Sequence, residues 1–193
     1  ICFFFENSCK YKIQMRVLEL FSGTGSVGKV CELLGYEVIS LDFLLPATHQ
    51  VDILNFNYQQ YPPDYFDIVW ASPDCTQYSK AKTRGVRDIE GANKLVIKTM
   101  EIICYFSPTW WFIENPQTGK LKEQSFMKTL PYIDADYCMY GYDYRKRTRF
   151  WTNRKVNLKL CDKNCGAFIN GKHIGSVGNG NKKYTNNRFS KLF

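Results

Sequence analysis

Three features of this sequence are of types that do chemistry, and each interrupts an apolar run. Cys75 follows "DIVWASPD", in which Ile68, Val69, Trp70 and Ala71 are broken by Ser72-Pro73-Asp74 before the thiol. The apolar residues read as a buried strand that proline ends. The polar neighbours Asp74, Thr76 and Gln77 favour an accessible thiol over the packed cysteine that is the usual fate of a free one. In a loop, such a thiol becomes a nucleophile when a cation or a helix N-terminus draws its pKa down. Glu114 ends the run "WWFIEN", where an unpaired carboxylate would be costly to bury. Arg147 and Arg149 alternate in "RTRFWTN", so on a strand both guanidiniums project from one face, toward one cleft or phosphate.

A second group of residues suits binding. Gly23 and Gly25 follow the apolar run "RVLELF", and glycine lets a backbone turn sharply and approach a ligand closely. Asp42 stands 19 residues after Gly23, a distance suited to a ribose diol; it also fits an ordinary turn acid. Asp52 reads either as a contact to an exocyclic amine or as a cap for the segment after it. Gly23, Gly25 and Gly28 also satisfy G-x-G-x-x-G, which leaves a nicotinamide-dependent oxidoreductase open, but that reading gives Cys75 and Glu114 no task.

The elements that must position these residues alternate between strands and helices. Strands are expected at 16–21, 37–43, 65–72, 110–115 and 147–153, with "YCMYGY" a further candidate. Helices are expected after Gly25, stopped by Gly35, and over 92–106, with a short one at "SFMKTL". Residues 49–56 read as a turn holding Asp52, and "QQYPPDYF" as a surface turn. The alternation predicts an α/β fold, a mostly parallel Rossmann-like sheet with helices on both faces. In such sheets ligands bind at the carboxyl ends of the strands, which is where these residues fall.

Composition sets the frame. The chain has 193 residues and 45% hydrophobic content, enough for one domain with its own core. No apolar run reaches the ~18 residues of a membrane helix. The N-terminal "ICFFFENSCKYKIQM" lacks the basic start and cleavage site of a secretory signal; either Met15 is the natural start or the chain is a fragment. The expected division is an extension over 1–14, a catalytic domain over 15–153, and a basic, loop-rich segment over 154–193. Residues 144–193 hold 13 of the 26 basic residues and one of the 18 acidic ones, which suggests a polyanion partner or a solvated tail. The eight cysteines are scattered, so reduced thiols and a cytoplasmic setting in a microbial or viral host cell are expected. Cys161, Cys165 and His173 invite a zinc reading. Zinc normally takes four ligands, and with no fourth at a suitable spacing no metal site is expected.

Taken in order, "LELFSGTGSVG", "SPDCTQYS", "IENP" and "YRKRTRFWTN" resemble the DNA (cytosine-5)-methyltransferase family over roughly residues 16–153. The resemblance implies S-adenosylmethionine as cofactor, cytosine-containing duplex DNA as partner, and methyl transfer to C5 of a flipped cytosine. It implies Cys75 as nucleophile, Glu114 as the acid that holds the base, and Arg147 and Arg149 as supporting cations. It implies cofactor contacts from Phe21, Ser22, Gly23, Gly25, Ile53 and Pro73, with Asp42 on the ribose and Asp52 on the adenine. The family's Pro-Pro-Cys reads Pro73-Asp74-Cys75 here, and its Glu-Asn-Val reads Glu114-Asn115-Pro116. The family's target-recognition domain and final helix are not recognised in 154–193, so a small or truncated form, viral or phage-like, is expected. A truncated, non-catalytic relative that binds the cofactor or nucleic acid is the alternative. An amino-methyltransferase would want Pro-Pro-Tyr or Pro-Pro-Trp at 73–75, where this chain has a cysteine.

Overall fold

The computed structural model describes residues 14–175. Residues 1–13 of the extension expected over 1–14, and the tail from 176 onward, lie outside the described residues. Seven strands form one sheet: β1 (Arg16–Leu20), β2 (Glu37–Asp42), β3 (His49–Gln50), β4 (Ile68–Ala71), β5 (Trp110–Pro116), β6 (Tyr132–Asp136) and β7 (Arg147–Thr152). Their order is β3-β2-β1-β4-β5-β7-β6. The first five run parallel, β7 runs antiparallel to β5, and β6 antiparallel to β7.

Alternation along β1 shows how the sheet is buried on both sides. Leu18 and Leu20 pack with Val69 and Ala71 of β4 on one face, while Val17 packs with Trp70, Phe112 and Phe150 on the other. Helix α1 (Ser26–Leu33) sends Val27 and Cys31 into the second face. Helix α2 (Ile89–Phe106) sends Ala92, Val96, Ile102, Ile103 and Phe106 into the first. Both faces are thus covered, as a parallel sheet requires. Helix α2 begins three residues before its apolar spacing suggests, because the Asp88 carboxylate accepts the Gly91 N–H at 2.7 Å and caps it.

Three stretches differ from the sequence reading. "YCMYGY" is a 3₁₀ turn over Tyr137–Tyr140, not a strand; the strand lies just before it, at β6, where Asp134 and Asp136 obscure the apolar signal. The segment holding Asp52 contains the short strand β3 before a 3₁₀ turn, Ile53–Asn55. Beyond Thr152 the chain stays on the sheet: Arg154, Val156 and Leu158 lie over Trp70, Phe112, Ile133 and Phe150, and the Arg154 guanidinium stacks 4.3 Å from the Trp110 ring. A small hairpin, β8 (Phe168–Ile169) and β9 (Lys172–His173), follows.

Candidate active site

The strand order brings four chemistry-bearing loops side by side. Neighbouring strands β2, β1 and β4 end, in that order, at Asp42, the glycine turn and the Cys75 loop, and β5 carries Glu114 two residues before its end. Every one is at the carboxyl edge because the strands are parallel.

The glycine turn is built by two carboxylates. Gly23 and Gly25 take φ of 55° and 68°, the left-handed region that glycine enters without a steric penalty. Asp42 accepts the Gly23 N–H at 2.8 Å on one oxygen and those of Leu44 and Leu45 at 2.9 and 2.8 Å on the other. Although burial opposes it, these backbone donors hold the Asp42 carboxyl below its usual range. Glu19, 3% exposed in β1, accepts the Val27 and Gly28 N–H groups at 3.2 and 3.0 Å and so caps α1 from the sheet. Burial pushes its carboxyl up to about 7 against the pull of those two donors. A cavity of about 450 Å³ opens here, lined by Ser22, Gly23, Gly25, Ser40 and Thr48 among others, a size that suits a nucleoside-sized ligand. The space above Gly23 is open.

The thiol and the second carboxylate share a site through Asn115. Buried in β5, Asn115 donates from Nδ2 to the Pro73 carbonyl at 2.9 Å, which ties the Cys75 loop to the strand that carries Glu114. Among the described residues its Oδ1 has no partner. Below the loop, Tyr78 is fully buried and donates to Asn93 Oδ1 at 2.8 Å. Arg87 braces the loop from outside, donating to the carbonyls of Gln77, Ser79 and Lys82 at 2.9, 2.7 and 2.6 Å. Glu114 pairs with Lys146 at 3.2 Å, and the same ammonium stands 5.1 Å from the centre of the Tyr137 ring. Cys75 is half-buried. Burial pushes its thiol above the ordinary range; the Lys146 charge pulls it down, and Asp74 and Glu114 push it up. Asp74 turns its Oδ1 onto the Thr76 backbone and hydroxyl at 3.0 and 2.6 Å.

The family comparison accords with this geometry. The family model described as "C-5 cytosine-specific DNA methylase" matches residues 15–147. The chain belongs to that family. It is 38% identical over 154 residues to a Frog virus 3 (isolate Goorha) protein named "Probable DNA (cytosine-5)-methyltransferase", covering 72% of this chain and 71% of the relative. It is 26% identical over 175 residues to the type II methyltransferase M.HindV of Haemophilus influenzae, covering 74% of this chain and 54% of that protein. Two solved structures share the fold. One is a prophage-encoded E. coli protein described as a DNA modification methyltransferase, at TM-score 0.57 and 16% identity, with 77% of this chain and 52% of that one covered. The other is the S. pombe Dnmt2 methyltransferase, at TM-score 0.51 and 15% identity, with 78% and 53% covered. The chain thus spans about half the length of three of these four.

In this methylase the expected site residues do not all land in the cleft. Asn115 ties the Cys75 loop to the strand of Glu114, whose charge acts on the thiol, and Ser22, Gly23 and Gly25 line the cavity. Arg147 and Arg149 do share a face, but each is committed to an acid of β6. Arg147 makes two bonds to Asp136 at 3.0 and 2.7 Å; Arg149 makes two to Asp134 at 2.8 and 2.9 Å and stacks 3.5 Å from the Tyr132 ring centre. The cation beside Glu114 and Cys75 is Lys146, which the alternating-arginine argument passed over. Asp42 spends one oxygen on Gly23 of the glycine turn and the other on Leu44 and Leu45 of its own loop. Asp52 caps the 3₁₀ turn by accepting the Leu54 N–H at 2.9 Å. Ile53 is a core side chain, 2% exposed, and Pro73 is buried with its carbonyl given to Asn115. Phe21 takes φ of 56° and packs on the core. Glu19, Asn115 and Lys146 are the residues that sequence reasoning missed. An acid inside an apolar strand, as in "RVLELF", was the available signal for Glu19.

Two consequences are measurable. A Cβ on Gly28 would stand 2.5 Å from Glu19 Oε2 and 3.1 Å from Val38 Cγ1, and Glu19 is too well held to yield. Gly28→Ala is therefore expected to destabilise the fold by about 1–3 kcal/mol, read as a lower urea midpoint; an unchanged midpoint would refute this packing. Glu19 holds its proton more tightly folded than unfolded, since its folded pKa of about 7 exceeds the ordinary 4.5. Its contribution to stability is full below 4.5 and is lost as pH rises through about 7. The stability advantage of the wild type over Glu19→Gln should shrink from pH 4.5 to pH 7.5 in urea titrations followed by tryptophan fluorescence, whereas a constant difference would contradict the assignment.

Proposed function

We propose that this chain is a DNA (cytosine-5)-methyltransferase that moves a methyl group from S-adenosylmethionine to C5 of a flipped cytosine through a covalent Cys75 adduct. The observation that carries this reading is the shared site of Cys75, Glu114 and Lys146, joined by the Asn115 bridge to the Pro73 carbonyl.

C5 of cytosine is a poor nucleophile. Addition of the Cys75 thiolate at C6 makes C5 electron-rich. Glu114 then holds N3 and the exocyclic amine and relieves the negative charge that the addition places on the ring. Lys146, paired to Glu114 before the base arrives, favours the thiolate and offsets the opposing charges of Asp74 and Glu114. The target base must leave the helix, because a half-buried thiol at the edge of a sheet cannot reach C6 inside a duplex. S-adenosylmethionine, when bound, supplies an electrophilic methyl group on a sulfonium. Ser22, Gly23, Gly25 and Ser40 would hold it: the cavity is of fitting size, and the open space above Gly23 leaves room for a ligand against the backbone. The basic balance of residues 144–193 suits a polyanionic substrate.

The test is a trapping reaction. The protein is incubated with S-adenosylmethionine and a duplex carrying 5-fluorocytosine, then denatured. A retarded, denaturation-resistant complex supports the enzyme. Cofactor binding with neither adduct nor methylation, across duplexes of varied sequence, would replace it with the non-catalytic binding module.

A further inference from the structure

The cysteine–histidine cluster beyond the catalytic sheet has four members, not three. Cys161 and Cys165 stand in the loop before the β8–β9 hairpin, and His173 lies on β9. The fourth, Cys138, comes from the 3₁₀ turn after β6, 23 residues before Cys161. This is why sequence spacing concealed it, and why the expectation of no metal site fails on geometry.

We propose that Cys138, Cys161, Cys165 and His173 bind one structural zinc ion. Their ligand atoms all lie within 4.8 Å of one another. Cys161 Sγ is 3.5 Å from Cys165 Sγ and 3.5 Å from His173 Nε2, and Cys165 Sγ is 3.3 Å from that nitrogen. Tetrahedral zinc, with Zn–S of about 2.3 Å and Zn–N of about 2.0–2.1 Å, sets its ligand atoms about 3.5–3.8 Å apart. The measured separations sit close to those edges, and three thiolates with an imidazole are a donor set that suits zinc. The set is full, with no position left for water or substrate, so the ion holds structure and does no chemistry.

The surroundings show what it holds. The buried apolar cluster here consists of the three cysteines and Ala167, with Met139 and Phe168 against it, too little to fix a segment without a staple. Backbone bonds already bring the segment to the sheet: Asp136 N–H donates to the Lys159 carbonyl at 3.0 Å, and Cys161 N–H to Asp136 Oδ2 at 2.8 Å. Asp136 is also the partner of Arg147, and Tyr137, beside Lys146, immediately precedes the ligand Cys138. The zinc therefore locks residues 159–173 onto the β6–β7 edge, next to the turn that backs the active site. This inference is independent of the methyltransferase reading.

The test is metal analysis of the full chain purified without chelator. One equivalent of zinc is expected, with loss of the bound metal in Cys138→Ser and in Cys161→Ser but not in Cys104→Ser, the exposed control. Because a ligand variant can fail to fold, the wild type stripped by chelator is also titrated with cobalt(II). Intense tetrahedral d–d bands with thiolate charge transfer, saturating at one equivalent, are expected. Trypsin should cut after Lys159 and Lys163 in the stripped protein and not in the loaded one. Iron in place of zinc, full metal content in Cys138→Ser, a Cys161–Cys165 disulfide in the native protein, or weak octahedral cobalt spectra would each overturn the proposal.

Discussion

Cys75→Ser should abolish the trapped complex and reduce methyl transfer by on the order of 10⁴-fold or more, the scale seen when an enzyme loses its covalent nucleophile. The reason is the difference between thiolate and hydroxyl. Burial raises the Cys75 thiol and the Lys146 charge pulls it down, but a thiol still ionises far more readily than a serine hydroxyl and is the stronger nucleophile. Lys146 cannot make up that difference, because it is an ammonium and not a base. The fold should be unaffected, since Cys75 is half-buried and the loop is held by Asn115, Tyr78 and Arg87. Equilibrium binding of S-adenosylmethionine is therefore expected to stay within about threefold of wild type, below the ~1.4 kcal/mol that a tenfold change represents. A Cys75→Ser protein that still forms the 5-fluorocytosine adduct would show that another nucleophile acts.

Glu114→Gln is the second large effect. Glutamine keeps the length and one acceptor but can neither deliver a proton to N3 nor accept with both oxygens. Loss of general acid–base assistance of this kind lowers rates by about 10²–10⁴-fold. Its signature is a fall in kcat with little change in KM for DNA, because the interaction strengthens only as the adduct forms. A rise in KM alone would reassign Glu114 to ground-state binding. Lys146→Gln separates the two halves of the pair. It removes the charge that lowers the Cys75 pKa, so alkylation of the Cys75 peptide by iodoacetamide should slow at neutral pH, its rate profile moving to higher pH. An unchanged profile would mean that Lys146 serves only to hold Glu114.

The legible part of the site was that carried by short contiguous segments. Cys75 behind a proline-broken strand and Glu114 at the end of "WWFIEN" are both decided locally, since a strand's end and its side-chain direction follow from a few residues. Arg147 and Arg149 show the limit of that reasoning. Alternation correctly placed them on one face, but which acids stood across from them depended on β6, whose two aspartates hid the strand from its own sequence. The same loss of β6 hid Lys146, because nothing then distinguished one cation of "YRKRTR" from the next. Asp52 was legible as a turn acid with capping as one of its two readings, and the structure takes the cap; the burial of Ile53 was not legible, because packing decides it.

What the chain's amino-acid order determined by itself was the alternation of strands and helices, hence the parallel sheet and the edge where ligands gather. It also determined the identities of the thiol, the carboxylate and the glycine turn. Tertiary structure alone decided the rest: the Asn115 tie between strand β5 and a loop residue 42 positions away, the Glu19 cap reaching from strand to helix, the pairing of each arginine with β6, and the arrival of Cys138 beside Cys161, Cys165 and His173. These depend on strand order and on side chains meeting across large sequence separations. Hydrophobic periodicity carries no record of either, because it reports which face of an element is buried and not what lies against it.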